Sequence, residues 1–254
     1  MIGWLQKEGV DIMTYDYQDA LAYKGISAAH PGGFSLTKKV LAKEHFSSQE
    51  KVLDAGCGTG LTSAYLSKEK HCKVYAIDIH PQMIKRATER MKKEKLQVSI
   101  VKGSLEKLPY PDHFFHTVIA ESSIIFTNIP LALNELYRVL KPGGKLISID
   151  MTLEEDLRPR ELAQLKGLYH IEHFPNEQEW LGAFEKAGFK KVEILKSNTI
   201  LQEIEEYTFS DNELNVMPEE LPSDFNDILN EHGKMMMHFA DRLGYRVFKA
   251  EKND

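Results

Sequence analysis

The chain has 254 residues, 42% of them hydrophobic and 28% charged, with 32 Lys plus Arg against 38 Asp plus Glu for a net charge of −6. That composition supports a sizeable core, excludes a disordered chain and argues against nucleic acid as a partner, since duplex binding needs a basic footprint. The two cysteines, Cys57 and Cys72, cannot build a disulfide framework. No apolar run approaches the roughly 20 residues that span a bilayer, and the first residues lack the apolar stretch of a secretory signal. A cytoplasmic protein with no membrane partner is expected. Met13 is an alternative start to Met1.

Residues 1–45 read as an N-terminal helical cap rich in aromatics, with Tyr15, Tyr17, Tyr23 and the turn His30-Pro31-Gly32-Gly33-Phe34. Lys51 to Asp54 then reads as a first strand, followed by a glycine-rich loop from Ala55 to Gly60 and a helix carrying Leu61, Ala64, Tyr65 and Leu66. A second strand runs from Lys73 to Asp78. The next helix follows Pro81, with Ile84, Ala87 and Met91 at helical spacing, and Val98 to Lys102 is strand three. Phe114 to Ala120 gives strand four and Pro130 opens a helix through Leu133, Leu136 and Leu140. Lys141-Pro142-Gly143-Gly144 stops that helix before strand five, Lys145 to Asp150.

Residues 151–175 carry no strand pattern; Glu177 to Ala187 is an amphipathic helix, and Val192 and Ile194 mark strand six. Tyr245 and Val247 mark a seventh, so residues 198–243 form a long insertion, of a length that usually carries function or structure of its own. Phe225, Ile228, Leu229, Met236 and Phe239 within it fall on one helical face. Gln202 to Pro222, upstream, is acidic and reads as a solvated segment. The alternation of strands and helices predicts an α/β fold: a doubly wound, Rossmann-like sheet of seven strands, mostly parallel, with an antiparallel last strand and helices on both faces. The expected organisation is the cap at 1–45, then a domain at 46–254 with cap segments at 151–175 and 198–243.

The chemistry is concentrated in Asp54-Ala55-Gly56-Cys57-Gly58-Thr59-Gly60, where an acid ends a strand and alternate glycines precede a helix. Such glycines let backbone approach a ligand without obstruction by Cβ. Asp78, ending the next strand, falls beside this loop at the switch point of the sheet, where its two oxygens could accept both hydroxyls of a ribose. A dinucleotide fingerprint, G-x-G-x-x-G, requires a third glycine where this chain has Leu61. The observed spacing is G-x-G-x-G, and Asp54 suits an ammonium group better than a pyrophosphate.

Four ordered pieces, VLDAGCGTG, AIDIHPQMI, GSLEKLPYPDHFFHTVIAE and LYRVLKPGGKLISID, resemble the class I S-adenosylmethionine-dependent methyltransferases. The likeness runs from Lys51 to Asp150 and is to the small-molecule branch similar to ubiquinone and menaquinone methyltransferases. It implies S-adenosylmethionine as cofactor. Asp54 and the loop at Gly56, Cys57 and Gly58 would hold the methionine part, Asp78 the ribose, and Ile79 and Met83 the adenine. Where relatives carry an Asp that receives the adenine amino group, Ser104 stands here beside Leu105, so side-chain readout is weaker or replaced by backbone. Glu121, ending strand four, borders the place where methyl donor and acceptor meet.

After strand four stands Ala120-Glu121-Ser122-Ser123, without the Asn/Asp-Pro-Pro-aromatic motif of enzymes that methylate base amino groups or amides. The resemblance therefore implies a small-molecule methyl acceptor; its contacts are expected from the caps, outside the resemblance, at Tyr17, His30, Tyr169 and His170. A histidine of either group, with His173, could act as base near neutral pH. No metal is expected, because His170, Glu172 and His173 do not share one ligand face. Three other readings stand beside this one: a protein or RNA methyltransferase, disfavoured by net acidity, a non-catalytic cofactor-binding module, and an NAD-linked oxidoreductase, opposed by Leu61.

Overall fold

The computed structural model describes residues 3–7, 10–206 and 223–253. It opens with β1 (Gly3–Lys7) and β2 (Val10–Thr14), paired antiparallel. These two stretches are thus not part of a helical cap. The alternation Val10-Asp11-Ile12 has the period of a strand rather than of a helix. Helix α1 (Tyr17–Lys24) follows, capped by reciprocal bonds between Asp16 and Asp19 and closed by Gly25 at φ +71°.

Helix α2 (Gly33–Ala42) belongs to the sheet rather than to the cap. Its Leu36, Val40 and Leu41 pack with Val52, Val74, Ile147 and Val247. The sheet comprises β3 (Lys51–Ala55), β4 (Lys73–Asp78), β5 (Val98–Lys102), β6 (Phe115–Glu121), β7 (Leu140–Leu153), β8 (Lys191–Thr199) and β9 (Leu243–Glu251). Its order is β5-β4-β3-β6-β7-β9-β8, and only β9, last in the chain, runs antiparallel to its neighbours. The chain order reverses between β3 and β6, so the carboxyl ends of β3, β4 and β6 open a crevice there.

Adjacent residues of β3 point to opposite faces. Val52 enters the core under α2 and α3 (Leu61–Glu69), while Leu53 enters the larger core with Leu133 and Leu136 of α5 (Ile129–Val139). Helix α4 (Pro81–Glu94) covers the first face through Ala87. On the second face, α7 (Glu177–Lys186) contributes Trp180, whose indole N–H donates to the carbonyl of Met151 at 3.0 Å.

One boundary differs from the sequence reading, and one helix is added to it. Lys141 to Gly144 does not separate helix from strand by a loop, because β7 begins at Leu140 and runs through both glycines to Leu153. Residues 151–175 contain a helix, α6 (Pro159–Tyr169), opened by Pro159 and a capping bond between Arg158 and Glu161. The 198–243 insertion holds α8 (Ile200–Glu206) and α9 (Ser223–His238). Residues 207–222, most of the expected solvated segment, lie outside the described residues. Helix α9 meets α1 and the residues just before it through aromatic rings, with Phe225 4.5 Å from Tyr15 and 5.2 Å from Tyr23 of α1 between centroids.

Candidate active site

Strand β3 is a central parallel strand buried on both faces, and it delivers Asp54 to the crevice at only 2% exposure. The chain then turns back over the end of β4, where the amides of Gly56 and Cys57 both donate to the carbonyl of Ile77, at 2.8 and 2.9 Å. Gly56 is obligatory: at φ +80°, a Cβ there would lie 2.3 Å from Cβ of Ser123. Gly60 explains the spacing of the motif, because a Cβ there would meet Ala87 and Met91 of α4 at 3.0 Å. The third glycine thus serves packing against the second helix.

Asp78 is oriented by two backbone amides, with Gly58 donating to Oδ2 and His80 to Oδ1, each at 2.8 Å. Burial pushes its carboxyl above the usual range, and these amides act in the opposite sense. Asp54 accepts from the Ser63 hydroxyl at 2.5 Å and is pushed up to about 7, first by burial and then by the charge of Glu121. Glu121 in turn accepts from the hydroxyls of Thr62, at 2.6 Å, and of Thr37, with Nε2 of His30 3.7 Å away. Cys57 is buried and its thiol pushed well up, chiefly by burial, which fits a packing residue rather than a nucleophile.

These groups face one cleft of about 1170 Å³, open mouth included. Asp54, Gly56, Cys57, Gly58, Asp78, Ile79, Met83, Ser104, Leu105 and Glu121 all line it, drawn from four separate stretches of chain. Ile79 is 54% exposed, an apolar side chain left open on the cleft wall. The Ser104 hydroxyl accepts from the amide of Glu106 at 3.1 Å, closing the turn after β5.

Of the residues expected to meet the acceptor, Tyr17 and His30 line the cleft, and Tyr169 and His170 do not. Tyr169 stands behind Tyr17, edge-on at 5.1 Å, with its hydroxyl 2.8 Å from Nδ1 of His232. Burial drives the Tyr17 and Tyr169 phenols up and brings His232 down to about 4, so this cluster is neutral near pH 7. His170 ends α6 with its side chain largely exposed, and His173 is likewise open beside Glu179. Among the described residues no cluster of three or more His, Cys, Asp or Glu is placed to hold a metal ion, and no helix is long and apolar enough to cross a membrane.

Several residues on or behind the cleft wall had no counterpart in the sequence reading. Thr62 sits one residue into α3, where the glycine motif could have flagged it; Thr37, 84 residues from Glu121, carries no local signal. His80 was legible as the residue after Asp78-Ile79. It caps α4 through Nδ1 and reaches Oδ1 of Asp19 at 3.0 Å, joining α1 to the rim. Arg86 of α4 adds bonds to the carbonyls of Ala22 (2.8 Å) and Tyr23 (2.6 Å) at the end of α1.

Residues 53–148 match the methyltransferase-domain family. Uncharacterized methyltransferase YodH of Bacillus subtilis (strain 168) is 33% identical over 236 residues, 93% of this chain and 99% of the relative. Demethylmenaquinone methyltransferase of Chlorobaculum tepidum is 26% identical over 202 residues, 71% of this chain and 81% of the relative. The fold is shared with Haemonchus contortus phosphoethanolamine N-methyltransferase 2, solved with phosphomonomethylethanolamine and S-adenosylhomocysteine. That likeness has a TM-score of 0.75 at 18% identity, over 95% of this chain and 61% of that one. The chain belongs to the S-adenosylmethionine-dependent methyltransferases.

Proposed function

We propose that the cleft holds S-adenosylmethionine and passes its methyl group to a small-molecule acceptor. The orientation of Asp78 carries this reading. Each of its oxygens accepts one backbone amide and keeps a lone pair for a ligand hydroxyl, as a ribose diol requires. Ile79 and Met83 offer the adenine an aliphatic and a thioether surface. Asp54 is a buried acid held by the Ser63 hydroxyl, and an ammonium group beside it would restore its ionised form.

The cofactor would supply a methyl group on a positively charged sulfur, transferred by in-line displacement. What the protein contributes is alignment, which can lower such a barrier by roughly 7–11 kcal/mol. Glu121 is held by Thr37 and Thr62 on the cleft wall and so keeps a fixed carboxylate near the glycine loop. Tyr17, the first residue of α1, is buried on the cleft wall.

The test is methyl-labelled S-adenosylmethionine with a panel of phenols, amines and quinols, scored by S-adenosylhomocysteine release and by labelled product. Acceptor-dependent release is expected. Label recovered on added protein or RNA, and on none of the small compounds, would sink the small-molecule reading.

A further inference from the structure

The charge inventory of the cleft is one-sided. Asp54, Asp78, Glu106 and Glu121 line it; the two lining imidazoles, His30 and His80, lie against the carboxylates of Glu121 (3.7 Å) and Asp19 (3.0 Å), and among the described lining residues there is no Lys or Arg. The arginines nearest its rim are committed elsewhere. Arg86 holds the carbonyls of Ala22 and Tyr23, while Arg90 donates to the carbonyl of Thr59 at 3.0 Å and lies 3.6 Å from Glu94.

A phosphate or carboxylate taken out of water needs charge-assisted partners, and a wall of carboxylates repels it. Three α-helix starts reach the cleft; that of α1 is capped by the Asp16 carboxylate and that of α4 by the His80 ring, which leaves the start of α3 at Leu61 and Thr62, without a side-chain cap, to take an anion. The methionine carboxylate of the cofactor would be that anion. Beside these groups, the wall carries the apolar or aromatic Tyr17, Leu21, Ile26 and Phe126 and the uncharged polar Gln18, Ser122 and Thr127.

We infer that the acceptor has an apolar body bearing a hydroxyl or amine and carries no phosphate or carboxylate. This rests on the methyltransferase reading of the cleft. It separates the chain from the Haemonchus contortus structure, whose ligand is the phosphate ester phosphomonomethylethanolamine. In the transfer, the acceptor lone pair forms the new C–O or C–N bond and the methyl–sulfur bond breaks, its electron pair staying on sulfur. S-adenosylhomocysteine is released, and the acceptor proton passes to water.

The experiment first measures S-adenosylhomocysteine binding to the full chain by calorimetry. No binding would overturn the methyltransferase reading itself. The saturated complex is then titrated with matched pairs: phenol and phenyl phosphate, 2-phenylethylamine and 3-phenylpropanoate, ethanolamine and phosphoethanolamine. At least one uncharged or cationic member is expected to bind, with its anionic partner roughly a hundredfold weaker. An anionic member that binds or is methylated as well as its partner would overturn the inference. So would a complex that binds S-adenosylhomocysteine and accepts no member of any pair.

Discussion

The backbone N–H of Gly58 donates to Oδ2 of Asp78 across 2.8 Å, locking the glycine loop after β3 to the acid that ends β4. One carboxylate therefore shapes the loop and faces the cleft. Asp78→Ala is expected to weaken S-adenosylhomocysteine binding by about 1.5–3 kcal/mol, roughly ten- to a hundredfold. Calorimetry gives the affinity and circular dichroism checks that the fold persists. Unchanged affinity would remove Asp78 from the site.

Gly56 and Gly167 should respond to alanine with opposite signs. At Gly56 the new Cβ meets Ser123 at 2.3 Å in a left-handed conformation, so a loss of at least about 2 kcal/mol is expected, a Tm lower by roughly 4–8 °C. Gly167, inside α6, has nothing within 4 Å of an added methyl group, and alanine there should stabilise by up to about 1 kcal/mol. Thermal unfolding of the two variants checks both. A Gly56→Ala protein as stable as wild type would contradict the close approach.

Asp150 carries a pH signature. It is fully buried in β7, neither carboxyl oxygen has a hydrogen-bond partner among the described residues, and burial pushes it up to about 7 from 3.8. The folded chain thus holds a proton there that the unfolded chain releases, so this group's stabilisation is complete below about pH 4 and is lost as pH rises through about 7. Asp150→Asn should remove up to about 1.4 kcal/mol per pH unit of that decline. Urea unfolding of wild type and variant at pH 5, 6 and 7 isolates the difference. Parallel slopes would show that Asp150 is ionised throughout.

Asp54 should couple the same kind of proton to binding. Raised to about 7 in the free protein, it is expected to ionise beside the cofactor ammonium, so affinity should rise with pH up to about 7 and protons should be released on binding. Calorimetry in buffers of different ionisation heat counts those protons. Proton uptake would contradict the assignment.

Arg86 should control how α1 sits over the cleft. Its guanidinium fixes the carbonyls of Ala22 and Tyr23 at the end of α1, far from the sheet core. Arg86→Ala is expected to speed amide exchange across residues 17–25 and to weaken cofactor binding severalfold, with exchange in β3 and β6 unchanged. Equal protection of α1 in both proteins would show that the aromatic contacts to α9 suffice.

The sheet was legible because its strands carry buried β-branched runs ended by acids, as at Asp54 and Asp78. The cofactor side was legible for the same reason: its residues lie within a few positions of strand ends, where topology fixes their meeting place. The acceptor side was not. Thr37 reaches Glu121 from a helix that reads as ordinary core, and Tyr169, an aromatic well placed by sequence, is screened from the cleft by Tyr17. Local pattern records which face of an element is buried, and carries no record of which distant side chain covers it. The β1–β2 pair and helix α6 escaped because short segments flanked by polar residues give weak periodicity.

The cleft suits an adenosyl sulfur compound and not a dinucleotide. Calorimetric titration of the full chain with S-adenosylhomocysteine, and separately with NAD, tests it directly. Saturable one-to-one binding of S-adenosylhomocysteine with no heat from NAD is expected; saturable NAD binding, or none by S-adenosylhomocysteine, would contradict it.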